Sequence, residues 1–429
     1  MLRGYFFRFV FTTLMLALSI SHPNLFGEAL KISMTADAAL LINADTGAVL
    51  YEKNAKVQYY PASITKIATA LYALKKRGAN LDDVVTAEQD SVASVTAEQK
   101  VRANYKLPAY WQEVGGSHIG IKVGEKLTLR DLLFGMMVAS GNDAANVISQ
   151  HVSGSIPIFV TEMNAYLKEI GCKDTCFLNP HGLHHPDHKT TAYDMATMTR
   201  EALENPLFRE IVSTVRYTRP KTNKQESTTL VQTNRLLRSG QYYYSKAIGV
   251  KTGHHSKALN TFVGAAQQDG RTLIAVILHN KERNDTFKDA IALFEAAFKQ
   301  PKVQRVLLRA GSQKYALKVD GAVKPVQAYL KDDISIEYYP AEEPQMKALV
   351  FWDKLSLPIA KDQKIGELRV TTPEGAILQS VPVYAKDEVK ESWINWLGSY
   401  FSVTAPWLKW TGILIGILVL IGFMLRFRR

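Results

Sequence analysis

The chain has 429 residues, of which 47% are hydrophobic, enough for two domains with a sizeable core. Its formal net charge of +12 comes without long basic blocks and without a nucleic-acid-binding motif. Nucleic acid is therefore excluded as a partner, and the excess suits a nearby anionic surface such as membrane or cell-wall polymer.

Arg3 and Arg8 precede the apolar run from Phe9 to Ile20, the pattern of a secretory signal peptide. Residues 1–30 are read as that peptide or as an uncleaved N-terminal anchor, with any cleavage between Ser21 and Ala38. The first folded segment, "AALLINADTGAVLYEKN", reads as strand, Asp-Thr-Gly turn, strand. Helical periodicity follows over Ser63 to Lys76, Leu127 to Val138, Asp143 to Val152 and Ile158 to Ile170. Strand patterns return at Ala247–Gly253, Leu259–Gln267 and Thr272–His279, and a helix over Asp285–Phe298 closes the domain. Strands at both ends with helices between predict an α/β (α+β) domain over 36–300, its sheet assembled from distant segments and partly antiparallel. Within it, "VTAEQ" occurs at Val85–Gln89 and again at Val95–Gln99, a small duplication that lengthens a surface loop. Cys172 and Cys176 form a local disulfide or remain two free thiols.

Residues 303–386 are short alternating strands with Asp-Gly and Pro-Glu-Gly turns, a small all-β module without concentrated reactive side chains. In 387–404, Trp393, Ile394, Trp396, Leu397, Tyr400 and Phe401 fall on one helical face, as in a segment lying in a membrane interface. Residues 406–426 then read as a C-terminal transmembrane helix: Trp410 to Leu425 is apolar, and Arg426, Arg428 and Arg429 follow. The basic tail places the C-terminus in the cytoplasm and everything upstream outside it, bound to the cell membrane by a single anchor with lipid as a partner.

Three short motifs carry chemistry. In "YYPASITKIATALYALKK", Ser63 and Lys66 lie one helical turn apart. Lysine in the first turn opposes the helix dipole, where an acid would be expected. Burial and the helix N-terminus both push its pKa down, and a neutral lysine can take a serine proton. Read blandly, Ser63 is an N-cap and Lys66 a solvated charge. "MMVASGNDAANVISQ" places Ser140, Gly141 and Asn142 on a tight turn between two apolar helices, a hydroxyl to relay a proton and an amide to hold a peptide group. There the bland alternative is a capping turn with Asn142 or Asp143 as N-cap. "AIGVKTGHHSKALNTF" places Lys251, Thr252 and Gly253 at a strand end, where glycine admits a ligand and the other two can bind a carboxylate.

S-x-x-K, S-G-N and K-T-G in this order resemble the signature of penicillin-binding proteins and serine β-lactamases. The stretches "YPASITKIATAL", "LLFGMMVASGNDAAN", "FLNPHGLHHPDHKTTAYDMA", "TNRLL" and "GVKTGH" narrow the resemblance to the low-molecular-mass D-alanyl-D-alanine carboxypeptidases, peptidase family S11. It spans roughly Ala38 to Ala385, including "LPIAKDQKIGELRV" in the β-module. The resemblance implies the β-lactamase/penicillin-binding-protein-like transpeptidase fold, peptidoglycan stem peptides ending in D-Ala-D-Ala as substrate, β-lactams as covalent inhibitors, and no cofactor. It further implies Ser63 as nucleophile, Lys66 as base and Ser140 as proton relay. Asn142, Lys251 and Thr252 would hold the substrate beside Gly253, and the N–H groups of Ser63 and His254 would form an oxyanion hole.

One departure stands out. Relatives read K-T-G-x-T, and here the second threonine is His255, whose protonated ring could take over carboxylate binding and make activity depend on pH near neutrality. His181, His184, His185 and His188 lack a metal-binding helix motif, and the resemblance accounts for His181 and His188 without metal. Glu201 to Asn205 has the letters of the deacylating E-x-x-x-N loop of β-lactamases but lies in a predicted helix. A β-lactamase and a weakly active penicillin-binding scaffold remain the alternative functions.

Overall fold

The structure, a computed structural model, describes residues 30–78, 80–373 and 375–396, with Leu18, Ser19, Thr411 and Ile417. Most of residues 1–30, the later part of 387–404 and nearly all of 406–426, on which the expected leader, interfacial segment and membrane helix fall, therefore lie outside the described residues. Among the described residues no helix is long and apolar enough to cross a membrane. Two compact units are present, one formed by Phe26–Pro301 with Pro340–Glu342 and the other built mainly from Lys302–Tyr339 and the chain after Glu342.

The first unit is organised by five antiparallel strands: β1 (Ala38–Asn43), β2 (Val49–Lys53), β3 (Ala247–His255), β4 (Leu259–Gln268) and β5 (Arg271–Asn280). Their order is β3-β4-β5-β1-β2, so the N-terminal hairpin joins the C-terminal meander edge to edge. Every pairing within this sheet is antiparallel, which sharpens the partly antiparallel sheet expected. The unbroken apolar run "TLIAVIL" in β5 suits a central strand covered on both faces. Its period-two alternation divides two cores: Ile274, Val276 and Leu278 join one, and Leu273, Ala275 and Ile277 the other.

Helix α7 (Arg283–Phe298) covers the second face with Phe287, Leu293 and Phe294. The other face carries α1 (Lys66–Arg77), α2 (Leu129–Val138), α3 (Asn142–Ser153), α4 (Ile156–Glu169), α5 (Ala192–Leu203) and α6 (Pro206–Ser213). Caps set several of these boundaries: Thr128 and Asp131 make a reciprocal capping box at α2, and Ser155 precedes α4, which has proline at its start. Arg271 is buried and pairs with Glu342, which also accepts from Asn43 Nδ2 at 2.8 Å, so the tripeptide 340–342 is part of this unit.

The second unit holds a sheet in the order Lys347–Trp352, Lys364–Thr371, Ile377–Ala385, Val326–Leu330, Gly311–Leu317, extended at its first edge by Leu18–Ser19. A separate ribbon pairs Val303–Leu308 with Ile334–Tyr338. Leu368, Val370, Val383, Val326 and Ala328 fill its core. Cys172 and Cys176 are both free thiols, one buried and one exposed.

Candidate active site

The turn bearing Ser63 departs from the helix that its sequence suggests. Ala62–Thr65 forms a 3-10 turn, and α1 starts at Lys66 rather than Ser63. The reason lies at Ala62, whose φ of +52° is left-handed and incompatible with an α-helical start. Contacts from elsewhere in the chain hold this conformation. The Thr65 hydroxyl donates to Ala62 O at 2.9 Å, and His188 fixes Thr65 in turn. Because Leu178 N–H donates to His188 Nδ1, the ring carries its proton on Nε2 and donates it to Thr65 Oγ1.

Two glycines allow other segments to approach this turn. A Cβ on Gly182, itself at φ +92°, would lie 1.9 Å from Ala62 O. One on Gly253 would lie 2.4 Å from Thr261 Oγ1 and 2.8 Å from Ser63 N. The K-T-G glycine therefore serves to seat the serine turn on β3, and the Thr261 hydroxyl completes the seat by donating to Pro61 O at 2.7 Å.

Lys66 is fully buried, with 0% of its surface exposed. Its Nζ lies 3.0 Å from Ser63 Oγ, 2.7 Å from Asn142 Oδ1 and 2.8 Å from His181 O. None of these neighbours is an anion. Burial, and next the nearby Lys251, hold its pKa well below that of an ordinary lysine, with Asp143 opposing weakly. Such a setting favours the neutral amine over the ammonium, the form in which a lysine can accept a serine proton. The solvated-charge reading of Lys66 is thus ruled out.

Lys251, also fully buried, donates to Ser140 Oγ at 2.9 Å and to Thr252 O at 2.9 Å. Burial lowers its pKa to about 7. Ser140 is left-handed at φ +64°, a strained setting at the turn between α2 and α3. The N-cap of α3 is Gly141, not Asn142 or Asp143. Asp143 instead accepts the N–H groups of Ile119 and Ile121 at 2.9–3.1 Å, which frees Asn142 to face Lys66.

A cleft of about 520 Å³ opens beside these groups, lined among others by Ser63, Ser117, Ser140, Thr252, His254 and Arg283. It brings together Ser63, Ser140, Thr252, Gly253 and His254, with Lys66, Asn142 and Lys251 directly behind. His255 stands apart. Its ring packs against His184 and Tyr60, and its Nδ1 accepts the N–H groups of Lys257 and Ala258. Burial, with His184 and His254 nearby, pushes its pKa down to about 4. The imidazole is neutral near pH 7, so the expected imidazolium at the carboxylate is corrected: strand β3 turns that position into the ring cluster.

The sequence reading missed Arg283, Lys281, Thr233 and Ser117. Arg283 and Lys281 line the cleft at the start of α7, with Arg235 and Arg238 close enough to lower the Arg283 pKa further after burial. Lys281 and Arg283 line the cleft on either side of Glu282, and two cations there suit a carboxylate ligand. Thr252 Oγ1 donates to Thr233 Oγ1 at 2.9 Å. The stretch "TNRLL" had marked the neighbourhood, but nothing local indicated that it would meet K-T-G.

Glu201 and Asn205 are occupied elsewhere: Glu201 accepts from Tyr166 Oη at 3.0 Å, and Asn205 caps α6. No deacylating glutamate therefore comes from this pair. Among the described residues no group of His, Cys, Asp or Glu could hold a metal ion. His181 and His188 are instead buried, and burial holds the pKa of both well below that of an ordinary histidine.

A serine and a desolvated lysine at hydrogen-bond distance beside an open cleft are the groups that serine acyl transfer requires. Residues 26–282 match the family model for D-alanyl-D-alanine carboxypeptidase, and residues 304–391 match the C-terminal domain of penicillin-binding protein 5. The chain belongs to the D-alanyl-D-alanine carboxypeptidase family. It is 32% identical over 365 residues to the D-alanyl-D-alanine carboxypeptidase DacF of Bacillus subtilis, covering 84% of this chain and 88% of that one. Penicillin-binding protein 5 from Haemophilus influenzae superposes with a TM-score of 0.56 at 26% identity, over 84% of this chain and 99% of that one. The carboxypeptidase DacD from Francisella tularensis shares the fold, with a TM-score of 0.58 at 22% identity over 87% and 98% of the two chains.

Proposed function

We propose that this protein is a serine-type D-Ala-D-Ala carboxypeptidase that removes the terminal D-alanine from peptidoglycan pentapeptides. The observation that carries the reading is Lys66 Nζ at 3.0 Å from Ser63 Oγ, wholly buried and without a carboxylate. Ser63 Oγ attacks the carbonyl carbon between the two D-alanines while Lys66 takes its proton. The N–H groups of Ser63 and His254 receive the developing oxyanion, worth about 3 kcal/mol per donor in acyl-transfer enzymes. The C–N bond breaks as a proton reaches the leaving amine through Ser140, which Lys251 holds. Asn142 orients the substrate amide, and Thr252, Lys251 and Arg283 hold the terminal carboxylate. Water then hydrolyses the Ser63 ester and restores the serine. A β-lactam enters the same cleft and acylates Ser63.

Membrane attachment is the second part of the proposal. Trp393 is 71% and Trp396 54% exposed at the end of the β-module, which suits insertion of segment 387–404 into a bilayer interface. The apolar run to Leu425 with its arginine tail supports a single C-terminal anchor in the cell membrane, with the catalytic unit on the extracytoplasmic side.

Incubation of the purified protein with diacetyl-Lys-D-Ala-D-Ala and, separately, with a chromogenic cephalosporin tests the catalytic reading. Release of D-alanine without cephalosporin turnover is the expected result. Turnover of the cephalosporin would make the protein a β-lactamase, and stable acylation with neither product would make it a penicillin-binding scaffold. Flotation of the full chain with anionic vesicles, against a chain ending at Lys386, tests the anchor.

A further inference from the structure

The duplicated pentapeptide acquires a role in three dimensions. The residue after the first copy is Asp90, and the residue after the second is Lys100. Both reach the same returning segment, 110–113. Asp90, exposed, accepts from Tyr110 Oη at 2.7 Å and from Trp111 Nε1 at 3.0 Å, one bond to each carboxylate oxygen. Lys100, buried, pairs with Glu113 at 3.3 Å. Short parallel pairing of Ser94 and Val95 with Gln112 and Glu113 lies between these two clasps.

The clasped segment leads directly to the catalytic lysine. Tyr110 O accepts His181 Nε2–H at 2.9 Å and Asn146 Nδ2 at 2.9 Å. The tautomer follows from Leu183 N–H, which donates to His181 Nδ1. His181 O in turn accepts from Lys66 Nζ at 2.8 Å. Further along the same segment, Gly116 abuts Asn142 Nδ2, Ser117 O accepts Asn142 N–H at 2.9 Å, and Ser117 lines the cleft. Two of the three groups around Lys66 Nζ, His181 and Asn142, thus rest on one strap, and that strap is held by the residues that follow the duplicated pentapeptides.

We propose that the duplicated segment 85–102 is a positioning clamp for the Lys66 base, acting through the 110–117 strap, His181 and Asn142. The inference rests on the acyl-transfer reading above. Asp90 and Lys100 touch no reacting atom and are positioning residues. The clamp keeps water from the Lys66 amine, whose lowered pKa comes above all from burial. Loosening it hydrates the amine, favours the ammonium and weakens the base.

The test uses the full chain and a fluorescent penicillin, with the second-order rate of Ser63 acylation measured from pH 5 to 9. Asp90→Ala removes an exposed side chain, and so leaves the fold intact, as melting of each variant checks. The expected result is an acylation rate about tenfold lower at pH 7, with the acid limb of the profile moved up by roughly half a unit. The Tyr110→Phe/Trp111→Phe pair removes the donors to Asp90 and should reproduce the defect, with no further loss when combined with Asp90→Ala. Asp90→Glu should restore much of the rate. An Asp90→Ala profile superimposable on wild type, or a lowered melting temperature with an unmoved limb, overturns the clamp. Failure of the wild type itself to acylate would instead overturn the acyl-transfer reading.

Discussion

Two serine–lysine pairs meet in this cleft, and they are built in different ways. Ser63 and Lys66 are three residues apart and joined by one helical turn, whereas Ser140 and Lys251 are 111 residues apart. The first pair sits on the turn into α1 and the second bridges the α2–α3 turn to edge strand β3. Burial dominates the pKa of both lysines, but Lys66 is lowered further by Lys251, while Lys251 settles at about 7. The same pair of functional groups thus stands in two settings: an amine pushed strongly towards its neutral form, and one whose charge is adjustable near physiological pH.

The largest expected effect separates these settings. Lys66→Ala should lower penicillin acylation by about 10²- to 10⁴-fold, the range for loss of general base catalysis, and Ser63→Ala should abolish the covalent adduct seen by intact-mass spectrometry. Gly253→Ala comes next, because its new Cβ would displace Ser63 relative to β3. A fall of about 10²-fold in acylation is expected from such a misplacement, with both lysines still present. Ser140→Ala removes a hydrogen bond to a charged group, and about 10- to 100-fold slower D-alanine release is the expected result.

The titration of Lys251 gives a smaller effect. As pH rises through about 7 Lys251 loses its charge, so KM for a D-Ala-D-Ala peptide should rise a few-fold, and Lys251→Gln should flatten the profile. Stability carries the opposite sign. The folded pKa lies below the unfolded value of about 10.4, so the unfolded chain binds the extra proton between about pH 7 and 10. The Lys251 contribution to stability therefore grows with pH across that window, by on the order of 1 kcal/mol per unit, and is lost as pH falls towards 7. Thermal melts of wild type against Lys251→Met at pH 7 and 9 would read the difference. His255→Thr should change least: its ring is neutral and lies outside the cleft, so the pH–rate profile should superimpose on wild type.

Much of the fold was legible because hydrophobic period and turn chemistry are local. The unbroken apolar run "TLIAVIL", the Asp-Thr-Gly hairpin and the apolar helices each announced their elements. The two "VTAEQ" copies show the limit of local reading. In the first, Val85 and Thr86 are in a strand and helix begins at Gln89; in the second, Thr96 caps a helix that begins at Ala97. The pairing of Val84–Thr86 with Lys126–Thr128 holds the first copy extended, which five identical residues could not foretell.

By itself the sequence determined the three motifs, their order and the odd lysine at the start of α1, since a one-turn spacing fixes which side chains can meet. Only the tertiary structure desolvated that lysine, by surrounding it with Asn142 and the His181 carbonyl, burying it beside Lys251 and placing no anion in contact with its amine. It also gathered Arg283, Lys281 and Thr233 at the cleft and turned His255 away from it. Desolvation and long-range packing decide these outcomes, and neither is a property of any short stretch of chain.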